Sequence, residues 1–119
     1  MPIVVMEVVV PEHEVLPAAL APRAAAALGR LFGSAPGGTW VRVHELRQDR
    51  YAENDSKAPA PLFVSVLHKE LPSSLARAEQ AKAIAREVAA LTGRPMENVH
   101  VIFEAAGRGR VAFGGELMV

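Results

Sequence analysis

The stretch Pro2–Val10, which reads PIVVMEVVV, decides how this chain folds. Valine and isoleucine dominate it and Glu7 is its only charged residue, so it lacks the alternation of a strand with one face in water. Such a run is typical of a strand covered on both faces, as in a parallel or mixed sheet beneath helices. We therefore expect a first strand at residues 2–10.

The rest of the chain repeats a strand–helix–strand order twice. The predicted elements are, in chain order, a strand at 2–10, a helix within 16–32, a strand at 39–46, a strand at 62–69, a helix between Ser73 and Gly93, and a strand at 98–104. Two prolines cannot both occupy the first turn of the first helix, so it should begin near Pro22. Gly33 and Gly93 end the two helices and relate the halves by about 60 residues, which indicates an internal duplication.

One domain over residues 1–119 accounts for this pattern, with two βαβ repeats at about 2–46 and 61–104. A tail at 105–119, punctuated by glycines, is predicted to form a hairpin or a wrapping arm. Two right-handed βαβ units place both helices on one face of a four-stranded mixed sheet, which is an α+β fold. Because the strands are apolar, the other face also needs cover, and we expect a closed oligomer.

Composition excludes several classes of partner. The chain has 13 basic and 13 acidic residues, and a formal net charge of zero gives no field to hold nucleic acid or an anionic membrane. It contains no cysteine, which excludes a disulfide scaffold and a thiolate zinc site and favours the cytoplasm as a reducing compartment. No apolar stretch approaches the roughly 20 residues that a membrane span requires.

Two further kinds of site have no support in the sequence. The four histidines are never spaced as two ligands on one helix face, so we predict no metal site. Gly107 and Gly109 superficially suggest a phosphate-binding loop, but no helix follows them. We expect a turn there.

Pro2 is a candidate catalytic residue. If the initiator methionine is removed, Pro2 becomes a rigid secondary amine, whereas an interior proline nitrogen is an amide without a proton. The pKa of such an amine falls when it is desolvated or placed near other cations, and an amine with a pKa near neutrality is a good general base.

Three features together resemble the tautomerase superfamily: Pro2 at the start, duplicated βαβ units, and the tail Phe113–Leu117, which reads FGGEL. The segment Gly107–Arg110 before Phe113 is also similar to the C-terminal segment of malonate semialdehyde decarboxylases. The resemblance implies a homotrimer of fused units whose amino-terminal proline acts as general base or, when cationic, as general acid. It also implies that no cofactor or metal is needed.

Proton transfer next to a carbonyl needs a base and cations that hold the carboxylate and the developing enolate. Besides Pro2, the candidate substrate-binding residues are Arg42, Lys69, Arg108, Arg110 and Phe113. Arg42 is similar to the anion-binding arginine of the family, and we take His100 as its counterpart in the second half. Phe113 replaces the family's aromatic wall. Each of these residues also has a plain structural interpretation, as a solvated charge, an ion pair or a packing residue.

Two functions remain open. The preferred one is a tautomerase-type enzyme acting on a small oxo- or enol-carboxylate by isomerisation, or by decarboxylation or hydration at the same proline. The alternative is a catalytically inactive trimer of the same fold that binds a ligand or partner. Retention of Met1 would favour the alternative, because Pro2 would then be an amide.

Overall fold

The strand formed by Ile3–Val10 lies in the interior of the main sheet, as its continuous apolar sequence predicts. The structure is a computed structural model that describes residues 2–56 and 59–119. Its elements are β1 Ile3–Val10, α1 Leu20–Phe32, β2 Trp40–Arg47, β3 Leu62–Leu67, α2 Ser74–Thr92, β4 Val99–Phe103, β5 Ala112–Phe113 and β6 Glu116–Leu117. Short 3-10 turns at Gln48–Arg50 and Met96–Asn98 precede β3 and β4.

The main sheet has the strand order β2-β1-β3-β4. β1 is parallel to β2 and antiparallel to β3, and β3 is parallel to β4, so the sheet is mixed. Strands β5 and β6 form a separate antiparallel hairpin. The prediction of a four-stranded mixed sheet built from two βαβ units is confirmed.

The core lies between one face of this sheet and the two helices. Alternate residues of β1 and β3 point into it, as the pleat of a strand requires. Its buried members are Val4, Met6, Val8, Leu20, Ala24, Leu28, Leu62, Val64, Val66, Ile84, Ala85, Val88 and Val99. Both helices contribute to this one cluster, which confirms that they cover the same face.

The helix ends follow from local chemistry. α1 begins at Leu20 with Pro22 in its first turn, close to the predicted start, while Leu16 packs on the core from the segment before the helix. The Ser73 hydroxyl caps α2 by accepting a hydrogen bond from the Ala76 amide at 3.2 Å. Gly93 then ends α2 in the left-handed conformation, with φ of 70°. Within the described ranges, neither helix is long and apolar enough to cross a membrane.

The second face of the sheet carries no helix. Val5 lies at its centre and pairs with Arg42 on β2 and with Ser65 on β3. Large apolar side chains remain in solvent on the outer strands of this face: Trp40 is 52% exposed and Ile102 is 47% exposed. In an isolated chain this face is therefore only partly covered.

Arg94 holds the far end of β1. Its side chain is only 7% exposed, and its Nη1 donates hydrogen bonds to the carbonyl oxygens of Val9 at 2.8 Å and Ala60 at 2.6 Å. Its Nη2 lies 3.3 Å from Glu14 Oε1. One guanidinium thus joins the end of β1, the loop after it and the segment that leads into β3.

Candidate functional site

A cavity of about 340 Å³ lies on the helix-free face at the start of β1. Its walls are Ile3, Val5, Arg42, Ser65, Leu67, Glu104, Ala105, Arg110 and Val111. The floor is mostly aliphatic and the charged groups are few, which is the usual character of a site for a small molecule.

The C-terminal segment completes this cavity by crossing the end of the sheet. Glu104 follows β4, the Gly107 amide donates to the His68 carbonyl at 2.7 Å just after β3, and Phe113 reaches Trp40 at the start of β2. The segment therefore runs from β4 past β3 and β1 to β2. Arg110, which lies within this crossing, becomes part of the cavity wall.

Pro2 directly precedes Ile3, which is part of the cavity wall, but Pro2 itself is not among the lining residues. It is buried, and its carbonyl accepts a hydrogen bond from the Trp40 amide at 3.1 Å. The Trp40 indole donates to the Gly37 carbonyl at 2.9 Å and meets Phe113 edge-on, with ring centroids 5.3 Å apart. Pro2 is thus fixed to the first residue of β2, and an aromatic pair flanks that attachment.

The structure brings together two of the four predicted cations. Arg42 and Arg110 both line the cavity, and neither side chain forms an ion pair with any residue in 2–56 or 59–119. Lys69 and Arg108 do not line it. The Arg108 amide donates to the Lys69 carbonyl at 3.1 Å, and its guanidinium pairs with Glu70. Arg42 and Arg110 are the cations available to an anion in this cavity.

The prediction that His100 is the counterpart of Arg42 in the second half of the chain is wrong. Counting from Gly33 and Gly93, which end the two helices, Arg42 corresponds to Ile102, not to His100. The sheet register agrees with this assignment, because Arg42 pairs with Val5, Ile102 pairs with Ser65, and Val5 pairs with Ser65. The second half therefore carries no charged side chain at this place.

Glu104 and Ser65 belong to the cavity, although the sequence did not identify them as site residues. The alternation of β4 predicts that Glu104 lies on the same face as Ile102. The proximity of Glu104 to Arg110 depends on the path of the C-terminal segment, for which the sequence holds no periodic signal. Like the two arginines, the Glu104 side chain has no hydrogen bond or ion pair within the described part of the chain.

A second polar cluster lies in the loop after β2. The Tyr51 hydroxyl donates to Glu53 Oε2 at 2.7 Å, and the Ser56 hydroxyl donates to Oε1 at 3.0 Å. The bond from Tyr51 is the main cause that lowers the pKa of the Glu53 carboxyl, with a smaller contribution from Ser56, and it also raises the pKa of Tyr51. None of these residues lines the cavity beside Pro2.

A larger cavity of about 620 Å³ lies at the opposite end of β1 and β2. Its charged side chains are mostly acidic: Glu12, Glu14, Glu45 and Asp49 line it together with Arg47. Arg47 is already paired with Asp49 at 3.3 Å. This cavity would repel a carboxylate, and we do not assign it to the chemistry of Pro2.

Solved structures of known proteins share this architecture. A structure of Pt0534 inactivated by 2-oxo-3-pentynoate matches with a TM-score of 0.77 and 20% identity, over 98% of this chain and 94% of the other. A symmetric trimer of wild-type fused 4-OT matches with a TM-score of 0.78 and 15% identity, over 98% and 94%. The macrophage migration inhibitory factor of Trichinella spiralis matches with a TM-score of 0.73 and 13% identity, over 97% and 98%.

Sequence comparison adds nothing to these matches, since no family model and no curated protein matches the chain. At identities of 20% or less, structural likeness carries the fold and not the activity. The mixed sheet, the two helices on one face and matches over nearly the whole chain confirm the fold expected from the duplicated βαβ units. The chain has the fold of the tautomerase superfamily.

Proposed function

We propose that the protein is a cofactor-independent tautomerase-type enzyme that acts on a small oxo- or enol-carboxylate. Pro2, freed by removal of Met1, is the base in this proposal; Met1 itself lies outside the described residues. The observation that carries it is a cavity whose wall begins at Ile3, the residue after Pro2, and contains two unpaired arginines.

The proposed chemistry follows from the surroundings of Pro2. The burial of Pro2 would desolvate a terminal amine, and positive charge from the arginines of the cavity would disfavour its protonated form; both effects lower the pKa of an amine. With an enol substrate the neutral amine removes the hydroxyl proton and the resulting ammonium delivers a proton to carbon; with an oxo substrate it removes the proton from the carbon next to the carbonyl and returns it to oxygen or to another carbon. Arg42 and Arg110 hold the carboxylate and the charge that develops on the enolate oxygen.

The Trp40–Phe113 pair and the Pt0534 structure give further support. The edge-on aromatic pair supplies apolar ring surface where Pro2 is attached to β2, although neither ring lines the cavity. The compound described as inactivating Pt0534, 2-oxo-3-pentynoate, is itself an oxo-carboxylate. An oxo- or enol-carboxylate is therefore the substrate class that we propose to test first.

Pro2→Ala is expected to lower kcat/KM for phenylenolpyruvate or a dienol acid by at least about tenfold. It should also displace the pH–rate profile, since a flexible primary amine replaces a rigid secondary one. Steady-state kinetics against pH, on protein whose amino terminus is verified by intact mass, measure both effects. The substitution keeps the backbone carbonyl of residue 2, which accepts the hydrogen bond from the Trp40 amide, so the fold should not change. Unchanged kinetics with an unchanged profile would place the base elsewhere.

We also propose that the protein is a homotrimer. The helix-free face leaves Trp40 and Ile102 half exposed, and burying such side chains stabilises by roughly 1.5–3 kcal/mol each. The fused 4-OT neighbour is described as a symmetric trimer. Sedimentation velocity at low micromolar concentration should give the mass of three chains. A monomer under these conditions would contradict the proposed cover for this face.

A further inference from the structure

We propose that Glu104 makes the cavity selective for carboxylates with a single negative charge over dicarboxylates. This inference rests on the cavity being the substrate site proposed above. It names the substrate class more narrowly: an oxo- or enol-acid whose second end is neutral.

The charges of the cavity are counted directly from its lining. Arg42 and Arg110 contribute two positive charges and Glu104 one negative charge. None of the three is neutralised by another side chain of the described ranges, so the cavity carries one net positive charge. A single carboxylate balances it, whereas a dicarboxylate leaves an excess negative charge in a partly apolar space, which is costly.

The positions of the charged residues indicate how a bound carboxylate is oriented in the cavity. Arg42 lies on β2 and Glu104 directly follows β4, at opposite edges of the sheet, with β1 and β3 between them. Neighbouring strands are about 4.8 Å apart, so the backbones of the outer strands are separated by roughly 14 Å, and the side chains of Arg42 and Glu104, which line the same cavity, narrow the gap that a ligand spans. The floor between them is aliphatic, with Ile3, Val5 and Leu67. A ligand whose carboxylate binds Arg42 and whose chain follows this floor extends toward Glu104.

Crotonate and fumarate provide a matched test. Both are four-carbon acids with a trans double bond, and fumarate carries one additional carboxylate. Chemical-shift titrations of the full chain at neutral pH should show wild-type protein binding crotonate at least about fivefold more tightly than fumarate. Glu104→Gln should strengthen fumarate binding by about tenfold, or about 1.4 kcal/mol, and crotonate binding by less than about threefold.

Glu97→Gln is the control variant. Glu97 is exposed in the turn before β4, does not line the cavity, and loses the same formal charge. We expect this variant to keep the wild-type ratio of the two dissociation constants. A change of equal size in both glutamate variants would indicate a general effect of net charge and would overturn the proposal.

The remaining outcomes are also decisive. If wild-type protein prefers fumarate, if Glu104→Gln keeps the wild-type ratio, or if neither acid binds saturably, Glu104 does not select the ligand. The titrations require no turnover. If Pro2 proves not to be the base but the predicted selectivity is observed, only the proposed catalysis is contradicted. If the enzyme is active but Glu104→Gln leaves the ratio of the two dissociation constants unchanged, only the proposed selectivity is contradicted.

Discussion

Protein that keeps Met1 is expected to turn over phenylenolpyruvate or a dienol acid at least about 100-fold more slowly than protein that begins at Pro2. With Met1 attached, the Pro2 nitrogen is a tertiary amide, which has no proton and no useful basicity. The effect should therefore exceed that of Pro2→Ala, which still offers an amine. Both forms can be prepared by controlling methionine removal in the expression host, and intact mass distinguishes them.

Matched measurements separate the loss of the amine from a loss of structure. Both forms should give the same far-ultraviolet circular dichroism and the same sedimentation coefficient. Both should also bind crotonate, since Arg42 and Arg110 are present in each. Equal turnover by the two forms would exclude Pro2 as the base. Uniform retention of Met1 in the natural host would favour the alternative of a binding protein.

Arg94→Met is expected to lower the free energy of unfolding by about 3 kcal/mol. The substitution removes Nη1, which donates to the carbonyls of both Val9 and Ala60, and it also removes the partner of Glu14. Because the Arg94 side chain is almost fully buried, water does not readily replace these bonds. Urea denaturation followed by circular dichroism measures the change.

Arg47→Met is the matched control, with the same exchange of residue types in an exposed setting. Arg47 pairs with Asp49, and the two side chains are 77% and 62% exposed, so solvent screens their interaction. Its removal should change the free energy of unfolding by less than about 0.5 kcal/mol. Similar losses in the two variants would mean that the buried hydrogen bonds of Arg94 do not stabilise the end of β1.

Most of the fold was predictable because its signals are local. The run Pro2–Val10 predicts an interior strand, and β1 lies between β2 and β3. Ser73, Gly33 and Gly93 mark helix ends through short-range hydrogen bonds and backbone conformation. The right-handed crossovers of the two βαβ repeats then predicted a four-stranded sheet with both helices on one face.

The cavity was predictable only in part, because its wall is assembled from distant segments. Arg42 could be placed from the alternation of β2, and Arg110 from its resemblance to a known C-terminal segment. Lys69 was expected in a strand, but β3 ends at Leu67, and Lys69 does not line the cavity. Glu104 joins the two arginines only through the crossing of the C-terminal segment, which no periodicity in the sequence describes.

The way in which the C-terminal segment is attached to the sheet affects how ligand preference can differ among related chains. Two of the bonds that hold it are made by main-chain atoms alone, from the amides of Gly107 and Arg108 to the carbonyls of His68 and Lys69. Such bonds tolerate changes of side chain, so residues such as Arg110 and Val111 can be replaced without loss of the anchoring. The segment is thus anchored independently of the side chains that line the cavity, and exchanging those side chains should change ligand preference with little effect on folding.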